Sequence, residues 1–91
     1  MKEAVIIDAV RTPIGRGHAE KGSLRGWHPV NLYAHAIDAL LQRTGLDPAK
    51  VESLITGCVT ARGEQGNNVS RLVGLLSKLP PSTDAFTVVR A

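Results

Sequence analysis

The chain has 91 residues, 43% of them hydrophobic and 21% charged, with a net charge of +3 from eleven Lys and Arg against eight Asp and Glu. That length allows one small domain, burying roughly 60–65% of its unfolded surface, and the composition is that of a globular chain rather than a disordered one. A single cysteine excludes an internal disulfide framework and a multi-cysteine metal site, and no apolar run approaches the ~20 residues of a membrane span.

The positive charges are scattered, with Arg11, Arg16, Lys21 and Arg25 in one loop-like region. Nucleic-acid binding asks for a basic stripe interleaved with aromatics. One Trp, one Tyr and one Phe do not supply it. The basic loop reads as a solvated surface, with reception of an acidic small molecule as the alternative. Met1-Lys2-Glu3 leads directly into an apolar run of about seven residues, too short for a signal-peptide core with its cleavage site. A cytoplasmic protein is expected.

In chain order, Ala4–Val10 is nearly all apolar without alternation, the pattern of a strand covered on both faces in a parallel sheet. Arg11-Thr12-Pro13 ends it, because proline cannot donate to a ladder. Ile14 to His28 carries four glycines among charged residues and reads as a long loop. Pro29 suits a first helical position. Tyr33, Ala36, Ile37, Leu40 and Leu41 then fall at helical spacing, with Asp38, Gln42 and Arg43 facing away. Gly45 supplies the C-terminal cap.

Asp47-Pro48 caps a further short turn through Glu52, and Ser53–Thr60 is a second strand. Gly63–Asn68 is a glycine-bounded loop ending in a cap. Val69, Leu72, Val73 and Leu76 form a second helical stripe running to about Leu79, stopped by Pro80-Pro81. Ala85–Ala91 closes as a third, β-branched strand. The order strand–helix–strand–helix–strand defines an α/β fold with parallel strands. Two helices do not cover both faces of such a sheet, so it reads as half of a structure.

No motif survives as a site. Gly15-Arg16-Gly17 follows a strand, but the third glycine of a dinucleotide fingerprint would fall on Glu20, where no helix begins. His18, His28 and His35 lack ligand spacing and read as surface or capping residues. Cys58 sits within an apolar strand and reads as a small core hydrophobe. Gly63–Asn68 could hold an anion on backbone donors or be a self-satisfied structural loop. Arg71 could be a partly buried, paired arginine. No catalytic, cofactor-binding or metal-binding residue is assigned.

The opening Glu3–Gly15, then Gly57-Cys58-Val59-Thr60, Gly63–Asn68 with Arg71, and the closing Thr87-Val88-Val89-Arg90 together resemble the N-terminal part of a thiolase (acetyl-CoA acetyltransferase or 3-ketoacyl-CoA thiolase), across essentially all 91 residues. The resemblance implies that residues 1–91 are a βαβαβ portion of a thiolase-type half-domain, mostly parallel with covering helices and incomplete on its own. It implies coenzyme A-dependent acyl transfer through a cysteine acyl-enzyme, with coenzyme A thioesters as substrates and no covalently bound cofactor.

By the same match the nucleophile is the residue following Ala91, two after Arg90, and Cys58 is a strand position. The chain is therefore expected to stop short of its nucleophile, to be inert by itself and to need the remainder of the polypeptide or a complementing chain. The resemblance also places Ala85–Arg90 at a sheet edge that pairs with a second copy, with Gly63–Asn68 near that interface. A different function remains open: a small non-catalytic α/β module binding a partner through the edge strand Ala85–Arg90.

Overall fold

The computed structural model describes residues 2–89. Helix α1 spans Pro29–Thr44, strand β1 Ser53–Gly57, helix α2 Val69–Leu76 and strand β2 Asp84–Val88, with single 3-10 turns at Pro48–Lys50 and Gly63–Gln65. The two strands are parallel, in register from Ser53 opposite Asp84 to Gly57 opposite Val88. Cys58 N–H to Val88 O (2.9 Å) and Asp84 N–H to Glu52 O (3.1 Å) extend the ladder at its ends. A parallel pair needs a long crossover, usually helical, and the segment carrying α2 provides it.

The ends of α1 follow from its sequence. Pro29 needs no hydrogen-bond partner for its nitrogen at the first position. His28, in extended backbone, caps the helix as its Nδ1 accepts from Val30 N–H at 3.2 Å. Gly45 ends the helix in the left-handed conformation (φ 68°) and donates to Leu41 O at 3.0 Å, the arrangement glycine adopts without a Cβ penalty. Asp47 Oδ1 accepts from Ala49 N–H at 3.0 Å and opens the following turn.

The buried face of α1 runs through Val30, Ala34 and Leu41, with Tyr33 and Ile37 half-buried beside it. Val30 and Ala34 join Val69 and Val73 of α2 as the core, flanked by Tyr33, Ile37, Leu54 and Cys58. Asp38 was expected to face away, yet its Oδ1 accepts from Lys78 N–H at 2.8 Å and ties α1 to the turn after α2.

The alternation along the strands shows how the sheet is used. Leu54, Thr56, Ala85 and Thr87 are buried or half-buried, whereas Ile55, Phe86 and Val88 are exposed. One face of the sheet is covered and the other is bare.

Two further expectations change. Ala4–Val10 joins no ladder among the described residues, and Val5, Ile6 and Ile7 are 74%, 92% and 72% exposed. Asp8 Oδ2 lies 3.0 Å from Arg43 Nε of α1. A strand without alternation gains its stability from layers on both faces, and the described residues supply one layer.

Helix α2 stops at Leu76, and Ser77 N–H bonds Val73 O. It buries Val69, Ser70, Val73 and Gly74 rather than the expected stripe, leaving Leu72 and Leu76 exposed together with Leu75. The helix is apolar on two sides, and only one of them is covered by the described residues. The radius of gyration, 14.3 Å, exceeds the about 12 Å of a compact chain of this length.

Gly74 offers a test of the helix–sheet contact. A Cβ there would lie 3.8 Å from Leu54 Cδ2 and 3.9 Å from Ala85 Cβ, ordinary contact distances. Gly74→Ala is expected to stabilise the fold by about 0.5–1 kcal/mol through helix propensity, read as a higher urea midpoint. A lower midpoint would mean that α2 sits closer to the strands than described.

Candidate functional site

In a parallel α/β sheet, functional groups gather beyond the carboxyl ends of the strands. Here that end comprises Gly57, the last residue of β1, with Cys58 after it, Val88, the last residue of β2, with Val89 after it, the Gly63–Asn68 loop and the start of α2. Arg90 and Ala91, which lead from β2 toward the expected nucleophile, lie outside the described residues.

A chain of hydroxyls runs beneath this end. Ser70 is fully buried, and its Oγ donates to Leu54 O at 3.0 Å. Its only proton is thereby used, so Thr56 Oγ1 donates to Ser70 Oγ (2.9 Å). By the same count Tyr33 Oη donates to Thr56 Oγ1 (2.8 Å). Among the described residues no buried side-chain nitrogen or oxygen lacks a partner, as the cost of burying an unpaired polar group requires.

A second set fixes β2. Ser70 N–H donates to Thr87 Oγ1 at 3.2 Å, and Thr87 Oγ1 donates to Asn68 Oδ1 at 2.8 Å. Asn68 Nδ2 donates to Ala85 O at 3.3 Å. Thr83, also buried, donates from Oγ1 to Val51 O at 3.2 Å. Strand β2 is thus held by side chains along its length as well as by the ladder.

The residues singled out from sequence fall into place. Cys58 is half-buried, packs against the core and lines a cavity of about 450 Å³ with Tyr33, Thr56 and Gln65. Its role here is that of a small core hydrophobe. Of the two readings of Gly63–Asn68, the structure favours the self-satisfied loop: Gly66 N–H bonds Gly63 O, Gln65 Nε2 donates to Thr60 O at 2.8 Å, and Asn68 receives Arg71 N–H.

Arg71 is half-buried and pairs with backbone, its Nη1 donating to Pro81 O at 2.8 Å and Thr83 O at 3.4 Å. His28 and His18 are both caps, since His18 Nδ1 accepts from Glu20 N–H and Lys21 N–H. His35 lies 5.9 Å from the Trp27 ring. In the same loop Gly22 is obligatory, because a Cβ would meet Arg16 O at 2.5 Å.

The hydroxyl chain was missed in the sequence. Its one visible signal is Ser70, a small polar residue beside Val69 and Val73 on the buried side of α2.

What these elements define is a parallel α/β layer covered on one face. The model of the thiolase N-terminal domain matches residues 4–91, and the chain belongs to the thiolase family. It is 47% identical over 90 residues to a steroid 3-ketoacyl-CoA thiolase of Mycobacterium tuberculosis, covering 99% of this chain and 21% of that protein. It is 43% identical over 90 residues to a 3-ketoacyl-CoA thiolase of Bacillus subtilis, covering 99% and 22%.

The crystal structure of an acetyl-CoA acetyltransferase of Bacillus anthracis superposes with a TM-score of 0.65 at 27% identity, covering 76% of this chain and 17% of that one. The chain spans about a fifth of the length of the curated relatives it matches. The α/β class with a parallel sheet stands.

Ser70→Ala is expected to cost about 1–3 kcal/mol, because Leu54 O loses its side-chain donor and Thr56 Oγ1 its acceptor inside the fold. Faster hydrogen exchange at the amides of β1 and α2 is the measurement. Unchanged exchange would show that the hydroxyl chain does not hold the two elements together.

Proposed function

We propose that this chain is the N-terminal part of a thiolase that transfers an acyl group between coenzyme A thiols. In the degradative direction a 3-ketoacyl-CoA and free coenzyme A give acetyl-CoA and the acyl-CoA shortened by two carbons. In the reverse direction two thioesters condense and release coenzyme A. The observation that carries the reading is the family match over residues 4–91, joined to a parallel strand pair whose carboxyl ends lie side by side at Gly57 and Val88.

In this reading residues 1–91 hold no group that touches substrate. The acyl-accepting cysteine is supplied by the residue that follows Ala91, at the amino end of a helix. Unpaired backbone donors and the positive end of the helix dipole there favour thiolate, and a second set of donors holds the thioester oxyanion during two-step transfer. The work of this chain is to aim that strand-to-helix turn, and Tyr33, Thr56, Ser70 and Thr87 hold the aiming strand in place.

The bare surfaces support the need for further protein. The sheet face with Ile55, Phe86 and Val88, the Leu72, Leu75 and Leu76 side of α2 and the Val5–Ile7 stretch are all exposed and apolar. Surfaces of that kind mark interfaces. We assign them to the remainder of the thiolase polypeptide, and the edge of β2 that pairs with no strand among the described residues to strand pairing with a second copy. Among the described residues no helix is long and apolar enough to cross a membrane, and a cytoplasmic location accompanies the reading.

The 91-residue chain alone is expected to show no thiolysis of acetoacetyl-CoA, and activity is expected when the remaining sequence is joined to it. Mass spectrometry of the sample beside the coupled assay decides. Turnover by an intact, isolated 91-residue chain would falsify the placement of the nucleophile.

A further inference from the structure

We infer that Asn68 is a positioning residue for acyl transfer, because its side chain locks the amino end of α2 to β2 and so sets where β2 delivers the residues that follow it. The inference rests on the thiolase reading.

Asn67 and Asn68 have φ of 55° and 54°, and among the described residues they are the non-glycine residues with positive φ. L-residues disfavour this region, asparagine less than most. A helix cap does not need it, since capping residues normally sit in extended backbone. Glycine would occupy position 68 without strain. Strain retained at a functional protein's loop points to a task for the side chain held there.

The side chain has such a task. The capping bond, from Arg71 N–H to Asn68 Oδ1, is 3.4 Å, the longest of the three that the Asn68 side chain makes. The other two go to β2: Thr87 Oγ1 to Oδ1 at 2.8 Å and Nδ2 to Ala85 O at 3.3 Å. Thr87 in turn receives Ser70 N–H at 3.2 Å, closing a loop of bonds between the first turn of α2 and the middle of β2.

Ladder bonds to β1 run along one side of β2, and this loop of bonds resists sliding along the strand axis. Sliding matters because each strand residue advances about 3.3 Å and a one-residue slip turns every side chain to the other face. Reacting groups tolerate far less, since a misplacement of about 1 Å can cost about a hundredfold in rate.

The test uses the complete enzyme, assayed by thiolysis of acetoacetyl-CoA. In Asn68→Gly the backbone is relieved and the lock removed. The variant is expected to fold and to lose kcat about tenfold with KM within about twofold, the signature of misplaced reacting groups rather than weakened binding. Thr87→Val should behave alike, and Thr87→Ser, which keeps the hydroxyl, should stay within about twofold of wild type.

The double variant Asn68→Gly with Thr87→Val should lose less than the two single losses combined, since the Thr87–Asn68 bond is common to both. If Asn68→Gly fails to fold, the Thr87→Val and Thr87→Ser pair decides. Wild-type kcat in both Asn68→Gly and Thr87→Val, a loss confined to KM, or Thr87→Ser as impaired as Thr87→Val overturns the inference while leaving the thiolase reading intact. A complete enzyme without thiolysis activity overturns both.

Discussion

The fold depends on burying one hydroxyl, that of Ser70, where α1, α2 and both strands meet. A polar side chain with no exposed surface is tolerated only when it is hydrogen-bonded inside the fold. Ser70 satisfies that condition through Leu54 O, Thr56 Oγ1 and, from its backbone, Thr87 Oγ1. Because Ser70 Oγ has one proton, the direction of every bond back to Tyr33 is set. Tyr33 brings in α1, Thr56 brings in β1, and Thr87 brings in β2. Hydrophobic contact among Val30, Ala34, Val69 and Val73 supplies the attraction, but it is non-directional. The hydroxyls choose the register.

That division explains why so small a core can hold a defined arrangement. The buried apolar residues among those described are Val30, Ala34, Leu41, Val69, Val73 and Leu79, few for a free-standing domain. The ion pair between Asp8 and Arg43 adds little, because Arg43 is 64% exposed and water screens the attraction. More large apolar residues are exposed than buried among those described, on the back of the sheet, on the outer side of α2 and along Val5–Ile7. A layer built this way is suited to being one wall of a larger hydrophobic interior.

Under the proposed acyl-transfer function the arrangement has a chemical logic: the proposed cysteine gains from helix-end electrostatics, and a strand running into a helix is the direct way to place it there. The strand must then be stiff in the direction of its own axis. Side-chain bonds from Asn68 to Ala85 and Thr87, and from Thr83 to Val51, provide that stiffness beyond what two-stranded ladder bonds give. Arg71 adds its guanidinium to Pro81 O, bracing the turn that enters β2.

The sequence by itself determined the elements whose signals are local. Pro29 and Gly45 bounded α1, Asp47-Pro48 opened its turn, and the β-branched runs marked β1 and β2, because caps and propensities act within a few residues. The spacing of the motifs along the chain was enough to place it in its family.

Tertiary structure decided what depends on partners. Ala4–Val10 has the composition of a buried strand, but a ladder needs a neighbour and two covering layers, which no local pattern supplies. The side of α2 that is buried could not be read from an apolar pattern on both sides, and it went to Ser70 and Gly74 because small residues let a helix approach a sheet. Asp38 reached Lys78, and Asn68 reached Ala85 and Thr87, across long stretches of sequence. Such bonds join residues that only the folded chain brings together.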